Sequence, residues 1–438
     1  MFSKFKWGIH PETHKTPTEG KAIESGPLPG KVILPVRQHI GVPGVPLVKK
    51  GDSVKKGQVI AASDAPVSSN VHATISGSVV DISSKPHPGL GECLAITIES
   101  DGLDQWEEGV LVERDWKTLN AGELIEIIKN AGIVGLGGAT FPTHIKLLPP
   151  KGAEIDTLII NGAECEPFLT ADHRMMLEYT DRLVTGILIL KKILAVKNVI
   201  VGIEDNKMDA VKLMTAALAG ENVKAVAIPT RYPHGSEKML IRTLIKREVP
   251  SGKLPLSVGV VVQNVGTAVA ICDAVQNGIP LLERIVTVSG SAIKEPKNLK
   301  LRIGTTFADA IEQCGGLKFE PEKILMGGPF MGTAQYTSEV PVIKGVNGIL
   351  ALSKKDINNG TSTNCIRCGR CVSACPMGLN PTMLSALAEK GFLDEAKEEY
   401  HLLDCMECGT CCFVCPAKRK MVHYVRYAKQ LSAAKGGK

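Results

Sequence analysis

Cysteines are the residues of this 438-residue chain whose type and spacing most clearly predict chemistry. Eight of the thirteen repeat the pattern C-x2-C-x2-C-x3-C-P twice, at Cys365, Cys368, Cys371, Cys375, Cys405, Cys408, Cys411 and Cys415. Two-residue gaps let successive thiolates point into one cavity, and this run binds cubane [4Fe–4S] clusters in bacterial proteins. Because the fourth cysteine of such a run binds the other cluster, we expect two clusters with crossed ligands. The expected sets are Cys365, Cys368, Cys371 and Cys415 for one cluster, and Cys405, Cys408, Cys411 and Cys375 for the other.

Zinc sites and disulfides are the alternative uses of these cysteines. Zinc ribbons contain two C-x-x-C pairs, whereas here a three-cysteine run is followed by a fourth cysteine and proline. A chain of this length buries about three quarters of its unfolded surface and needs no disulfides for stability. The N-terminus lacks the apolar region of a signal peptide, so we expect a reducing compartment. The remaining cysteines are expected to be ordinary thiols: Cys93, Cys165, Cys272, Cys314 and Cys412.

Composition and charge exclude several classes of protein. With 44% hydrophobic and 22% charged residues, the chain is neither disordered nor a collagen nor a coiled coil. The net charge of +6 is too small for a general nucleic-acid binder. No apolar run approaches the ~18 residues of a transmembrane helix. A C-terminal basic segment indicates either a solvated tail or a contact with an acidic partner or an anionic membrane surface. Its cations are Lys418, Arg419, Lys420, Arg426, Lys429, Lys435 and Lys438.

The pattern of apolar residues along the chain predicts the helices and strands around these cysteines. It indicates a multidomain α/β protein of four modules. Residues 1–110 contain short strands between turns, and the phrase at 48–58 resembles a lipoyl-type barrel-sandwich hybrid without an evident carrier lysine. Residues 111–284 alternate helices with β-branched runs, which predicts a Rossmann-like parallel sheet. Residues 285–347 form a β-rich unit, and 348–438 a helical cysteine-rich domain with two helices between the runs.

A glycine-rich segment at 132–143 follows a predicted helix in the second module. Glycines let backbone N–H groups approach a phosphate, although a lone glycine-rich loop is equally typical of a tight turn. The string GLGGATFPTHIK at 135–146 resembles GRGGAGFPTGLK, the flavin loop of the NADH-oxidising flavoprotein subunit of respiratory complex I. Residues 161–167, 235–237 and 263–267 resemble that family's N-A-D-E-S-E-P, G-E-E and N-N-V-E-T in the same order.

This resemblance implies FMN and NAD(H) as cofactors of the second module. The implied FMN residues are Gly137, Gly138, Asn161, Glu164, Gly235, Glu237, Asn264 and Thr267. For NAD(H), the resemblance implies that Phe141 stacks on a dinucleotide ring, Lys146 meets phosphates and Glu166 accepts ribose hydroxyls. Leu136, Ala163 and Ser236 depart from the family's motifs, which implies weaker binding of the flavin phosphate. No catalytic acid or base is expected, because the cofactors supply the chemistry.

Over residues 5–420 the chain resembles the RnfC family of the Rnf complexes, the ion-translocating ferredoxin:NAD oxidoreductases. The resemblance rests on WGIHP at 7–11, ADHR at 171–174, GGPFMG at 327–332 and both cysteine runs. It implies a β-grasp (SLBB-type) third module and a peripheral subunit on the cytoplasmic face of the membrane. The implied partners are NAD(H), ferredoxin indirectly, and the other Rnf membrane and peripheral subunits, including the ferredoxin-facing iron–sulfur subunit. No nucleic acid is implied.

Two other functions stay open from the sequence. A soluble cobalamin reductase of a bacterial microcompartment has similar flavin, β-grasp and cluster modules. Reduction of a corrinoid without membrane association would indicate that alternative. A cluster-bearing scaffold with a vestigial nucleotide domain is the other, and failure to bind FMN would indicate it.

Overall fold

The structure, a computed structural model, describes residues 8–150, 152–357 and 360–436. Trp7 and Lys438 of the sequence analysis lie outside the described residues, as does the side chain of Lys435. No helix in the described part of the chain combines the length and the apolar character needed to cross a lipid bilayer.

The N-terminal elements are short strands joined by tight turns. They are α1 (Thr16–Glu19), β1 (Ile23–Ser25), β2 (Lys31–Pro35), β3 (Val45–Pro46), β4 (Ser53–Val54), β5 (Val59–Ala62), β6 (Val71–His72), β7 (Gly77–His87) and β8 (Gly91–Ser100). Two antiparallel sheets, ordered β2-β8-β7-β4 and β3-β5-β6, face each other as a barrel-sandwich. Their alternating Val and Ile side chains point inward, which is the pattern that half-buried strands require.

A parallel sheet between helices forms the second module. Its elements are α2 (Ala121–Asn130), α3 (Thr143–Lys146), β9 (Thr157–Gly162), α4 (Ala171–Glu178), α5 (Thr180–Leu194), β10 (Asn198–Glu204), α6 (Met208–Ala217), β11 (Lys224–Ile228), α7 (Glu237–Ile245), β12 (Val260–Asn264) and α8 (Val265–Asn277). The strand order is β11-β10-β9-β12. Strands β10 and β11 therefore lie on one side of β9, and β12 lies on its other side. Ligands of open α/β sheets bind at the carboxyl ends of the strands where the order reverses, which here lies between β9 and β12.

The third module is a mixed sheet that takes strands from outside its predicted limits. Its elements are β13 (Glu283–Ser289), β14 (Lys297–Arg302), α9 (Phe307–Glu312), β15 (Lys323–Met326), β16 (Thr333–Gln335) and β17 (Gly348–Leu352), and the order is β1-β14-β13-β17-β15-β16. Strand β1 of the N-terminal segment pairs with β14, and β17, which begins after residue 347, pairs with β13 and β15. The sheet is therefore completed by pairings between distant segments, which local sequence patterns do not reveal.

Helices surround the two cysteine runs. They are α10 (Arg370–Ala374), α11 (Pro381–Lys390), α12 (Leu393–Glu398), α13 (Thr410–Phe413) and α14 (Met421–Gly436). Helix α11 begins where Asn380 accepts a hydrogen bond from Met383 N and ends at Gly391, whose φ of +79° suits glycine. Helices α11 and α12 occupy the segment between the runs where two helices were predicted. Apolar residues of α11 and α14 form the core of this domain.

Candidate cofactor sites

The eight repeated cysteines line two separate cavities. One, with about 370 Å³ of partly solvent-open space, is lined by Cys365, Cys368, Cys371 and Cys415. The other, of about 400 Å³, is lined by Cys375, Cys405, Cys408 and Cys411. Each run thus sends its fourth cysteine to the cavity of the other run. Four thiols around one space form the donor set of an iron–sulfur cluster, and the residues present fit that group.

Within the described ranges, no group of three His, Cys, Asp or Glu side chains is spaced to hold one ion.

Backbone and hydroxyl groups point at several of these sulfurs. Arg367 N donates to Cys365 Sγ at 3.3 Å, and Glu407 N donates to Cys405 Sγ at 3.4 Å, at equivalent positions of the two runs. Hydrogen bonds to cluster sulfurs are one means by which a protein sets a reduction potential. Burial raises the pKa of the Cys408 thiol, because a thiolate is costly to desolvate unless a metal neutralises it.

Two asparagines mark the carboxyl ends of adjacent parallel strands. Asn161 of β9 lies in register with Asn264 of β12. The Asn161 amide donates to Gly235 O at 2.8 Å. Asn264 accepts from Gly266 N at 2.8 Å, which caps α8, and donates to Asp172 at 2.7 Å. The sheet therefore gathers predicted FMN residues from three loops at its switch point.

The glycine-rich loop lies against this strand end. Thr267 is fully buried in the first turn of α8, and its hydroxyl accepts a hydrogen bond from Leu136 N at 2.9 Å. A Cβ atom on Gly137 would lie 3.4 Å from that of Asn264, whereas a Cβ on Gly138 would meet nothing within 4 Å. Gly138 is exposed and has a φ of +113°, which side chains rarely tolerate. This open stretch of backbone fits the close approach of a flavin phosphate.

The side chain of Glu164 is buried against the first turn of α4, where it accepts hydrogen bonds from backbone N–H groups. Its carboxylate accepts from Asp172 N at 2.9 Å and His173 N at 3.4 Å. Burial, followed by the charge of Glu164, raises the pKa of Asp172 to about 7. Both carboxylate oxygens of Glu164 are thus engaged by the first turn of α4, whose Asp172 accepts from Asn264.

Lys146, at the end of α3, forms an ion pair with Glu237, at the start of α7. Both side chains are partly exposed, so they are accessible to a bound cofactor. Phe141, at the end of the glycine loop, is half-buried, and its carbonyl accepts from Gly135 N at 2.9 Å. The cofactor roles that the resemblance implies for these three residues stay predictions.

Glu166 faces the third module instead of open space. Its carboxylate accepts hydrogen bonds from Phe330 N at 3.1 Å and Met331 N at 2.8 Å. Burial raises the pKa of Glu166 to about 7. The carboxylate therefore holds the turn at 327–332 in the conformation described.

Sequence reasoning did not single out Tyr232, which joins three modules. Its ring stacks on Phe330 with centroids 4.4 Å apart, and Phe330 lies 5.3 Å from Phe413 of the cluster domain. The Tyr232 hydroxyl donates to Cys408 O at 2.8 Å and lies 3.4 Å from a Glu166 oxygen. The one sequence signal for Tyr232 is its position just before the motif at 235–237.

Lys15 was also missed, and it fixes the loop that follows β9. Its buried ammonium group donates to Glu164 O at 2.9 Å, to Glu166 O at 3.0 Å and to Leu169 O. Nothing in its sequence context distinguishes it from a surface lysine, because its partners lie about 150 residues away.

The fold and the two kinds of site define an iron–sulfur flavoprotein of electron transfer, and comparison with known proteins agrees. Family models match residues 3–103 (RnfC barrel sandwich hybrid domain), 128–273 (Nuo51 FMN-binding domain), 285–334 (SLBB domain) and 356–427 (4Fe-4S dicluster domain). The chain belongs to the RnfC family, whose members are subunits of ion-translocating ferredoxin:NAD(+) oxidoreductase complexes. The predicted fold class and family are confirmed. FMN and iron–sulfur clusters are its cofactors.

Two relatives match this chain over almost their whole length. The equivalent subunit of the proton-translocating ferredoxin:NAD(+) oxidoreductase complex of Clostridium ljungdahlii is 58% identical, with 100% of this chain and 95% of the relative covered. That of the Na(+)-translocating complex of Acetobacterium woodii is 42% identical, with 97% and 96% covered. A chain of the NAD+-reducing [NiFe]-hydrogenase, solved in the air-oxidised state, superimposes with a TM-score of 0.51 at 16% identity. That match covers 70% of this chain and 63% of the other, and it shows a shared fold alone.

Proposed function

We propose that this chain is the NAD(H)-facing electron-transfer subunit of a ferredoxin:NAD+ oxidoreductase complex of the Rnf type. It relays electrons between two [4Fe–4S] clusters, FMN and NAD(H), while partner subunits translocate the ion. The carrying observation is that Tyr232, which belongs to the module with the flavin motifs, donates a hydrogen bond to the backbone carbonyl of Cys408, and Cys408 lines one of the two cysteine cavities. The other subunits of the complex are its partners, and they hold it at the cytoplasmic face of the membrane. Ferredoxin acts on it indirectly.

The chain's own residues bind and orient the cofactors in this proposal. When bound, FMN exchanges a hydride with the nicotinamide and single electrons with the clusters. Gly137 and Gly138 present backbone N–H groups to the flavin phosphate, with Asn161 and Asn264 below them at the strand ends. Glu164 fixes the start of α4.

The two remaining alternatives are weaker. The relatives and family models above give the microcompartment cobalamin reductase no support. A scaffold with a vestigial nucleotide domain requires loss of FMN binding, whereas the glycine loop keeps an open backbone at Gly138.

The four modules are proposed to divide near residues 110, 284 and 347, with β1 and β17 crossing those limits to join one sheet.

Anaerobic quantitation of iron, sulfide and FMN tests the proposal directly. We expect about eight irons, eight sulfides and one FMN per chain. NADH should bleach the visible absorption of both cofactor types. A chain that binds iron without FMN, or that NADH leaves unbleached, would contradict the proposal.

Replacing Gly138 with alanine is expected to reduce bound FMN by about tenfold, because the new Cβ forces the loop away from its φ of +113°. Gly220→Ala is the matched control, since Gly220 also has a positive φ of +87° and open space around its Cβ. Flavin released on heat denaturation measures both variants. Equal FMN content in the two variants would remove Gly138 from the site.

Glu166→Gln is expected to weaken NADH binding by about tenfold, because the carboxylate that accepts from Phe330 N and Met331 N still has lone pairs for ribose hydroxyls, whereas an amide has a single accepting oxygen. FMN content should be unchanged. Tyr232→Phe serves as control, since it removes a hydroxyl beside Glu166 but keeps the carboxylate. If both variants weaken NADH binding equally in calorimetric titration, Glu166 acts by holding the 327–332 turn rather than by touching the nucleotide.

A further inference from the structure

The two cysteine runs follow the same backbone path, so their residues can be compared in pairs. Arg367 and Glu407 occupy equivalent positions with φ of +55° and +58°. Gly369 and Gly409 follow with φ of +73° and +78°. The surroundings of the two runs can therefore be compared residue by residue.

The second run is covered by the rest of the protein. Cys408 is 7% exposed, and its carbonyl accepts from Tyr232. A Cβ on Gly409 would lie 3.1 Å from Phe330 O. Glu407 is neutralised by Arg426 at 3.0 Å and by Lys429 at 2.9 Å. This side of the cluster domain faces the second and third modules.

The equivalent side of the first run is open. Cys365 and Cys368 are exposed, and Ile366 between them is 66% exposed. A Cβ on Gly369 would meet nothing within 4 Å. All residues from 360 to 370 are exposed. A cluster held by Cys365 and Cys368 would therefore lie at the surface, on the side that its counterpart uses to contact Tyr232 and Phe330.

Positive charge surrounds this opening. Arg367 stands where the second run has Glu407, and Arg370 where it has the buried Thr410. Lys420, between the cavity-lining residues Arg419 and Met421, is also exposed. Among the ion pairs of the described residues none involves Arg367 or Arg370, whereas nearby Arg419 pairs with Glu389. Unpaired arginines around an exposed redox site favour a partner that presents carboxylates.

We propose that Ile366, Arg367, Arg370 and Lys420, here named the arginine face, dock a redox subunit of the same complex that presents carboxylates around its own redox centre. The inference rests on the proposed function, since it assumes a cluster in each cavity. With clusters bound, Cys365, Cys368, Cys371 and Cys415 would hold the one that takes a single electron from the docked centre, which would be oxidised by one equivalent. The cluster held by Cys375, Cys405, Cys408 and Cys411 would carry that electron toward the flavin. Two such transfers with one proton convert NAD+ to NADH.

Charge reversal in the assembled complex tests the arginine face. Arg367→Glu together with Arg370→Glu is expected to slow ferredoxin-driven NAD+ reduction by about tenfold or more, because like charges then meet at the interface. Glu407 shows that glutamate is accommodated at the Arg367 backbone conformation. In the unaltered complex, added salt should slow the same reaction, and the variant should lose this dependence.

Three controls separate docking from damage and from failure of the function. Iron content and NADH-driven ferricyanide reduction should stay at their original values in the variant. Lys49→Glu with Lys50→Glu makes the same charge change at exposed residues of the barrel-sandwich module and should leave the ferredoxin-driven rate intact. An unchanged rate in the Arg367/Arg370 variant, or an equal loss in the Lys49/Lys50 variant, overturns the docking proposal. A chain without iron would contradict the proposed function instead.

Carbodiimide cross-linking identifies what covers the face. Arg367→Lys with Arg370→Lys introduces amines that condense with an activated carboxylate to form an amide. Mass spectrometry of the purified complex should find these lysines joined to a carboxylate of a redox subunit. Amides to a second copy of this chain, or no amide together with charge-dependent binding to anionic phosphatidylglycerol vesicles, would overturn the assignment.

Discussion

Replacing Cys375 and Cys408 together by alanine is expected to remove no more iron than replacing Cys408 alone, because both line one cavity. Each single change should lower bound iron from about eight to about four per chain, since a cubane that loses a ligand is released on purification. Replacing Cys375 and Cys368, which line different cavities, should remove almost all iron. Uncrossed ligand sets would give the opposite result, because Cys375 and Cys368 would then share a cluster.

Electron relay should fail in every one of these variants. A chain that lacks either cluster cannot connect an external donor to the flavin, so ferredoxin-driven NAD+ reduction should fall to background. Cys412→Ala is the matched control, because Cys412 neighbours Cys411 but lies outside the repeated spacing. It should keep its iron. Iron loss in the Cys412 variant equal to that of Cys408 would show that iron content reports general damage rather than ligation.

Gly186→Ala is expected to destabilise the α/β module strongly. Gly186 lies in α5 where this helix crosses α8, and a Cβ there would sit 1.9 Å from Ala268 O. The backbone of α8 must move away, at a cost of about 3 kcal/mol that exceeds the ~1 kcal/mol gained from the helix propensity of alanine. The apparent midpoint of thermal unfolding should fall by about 5 °C at a fixed scan rate. Bound FMN should fall as well, because α8 carries Thr267 and is capped by Asn264.

Gly122→Ala provides the control for this prediction. Gly122 lies in the first turn of α2, where a Cβ would meet only the Asn120 side chain at 3.2 Å. That variant should unfold at or slightly above the original midpoint, because alanine favours helix and no backbone atom opposes it. A Gly186 variant that matches it would show that α5 and α8 separate easily.

Local signals accounted for most of the architecture. The runs at Val59–Ala62 and Thr157–Gly162 are strands, as their β-branched residues predict. Ala121–Asn130 is a helix with a capping box of Asn120 and Glu123. The roles of the cofactor-binding residues stay predictions, which the flavin and NADH experiments above test.

Glu166 shows what local sequence patterns do not predict. Its motif predicts a carboxylate after a strand, but the groups that engage it belong to Phe330 and Met331, about 160 residues later. The same holds for Lys15, whose partners are carbonyls of the Glu164–Leu169 loop. Such contacts depend on how modules pack, and no spacing rule within one segment reports them.

The sequence by itself determined the ligand spacing of both clusters, the glycine loop and the parallel sheet, because thiolate geometry, backbone freedom and side-chain periodicity act over a few residues. Only the tertiary structure decided which of the two equivalent cysteine runs is covered and which is open. Cys408 is buried under Tyr232 and Phe330, whereas Cys368 is exposed beside Arg367 and Arg370. Burial is set by contacts between distant segments, so two runs of the same spacing acquire different surroundings only when the chain folds.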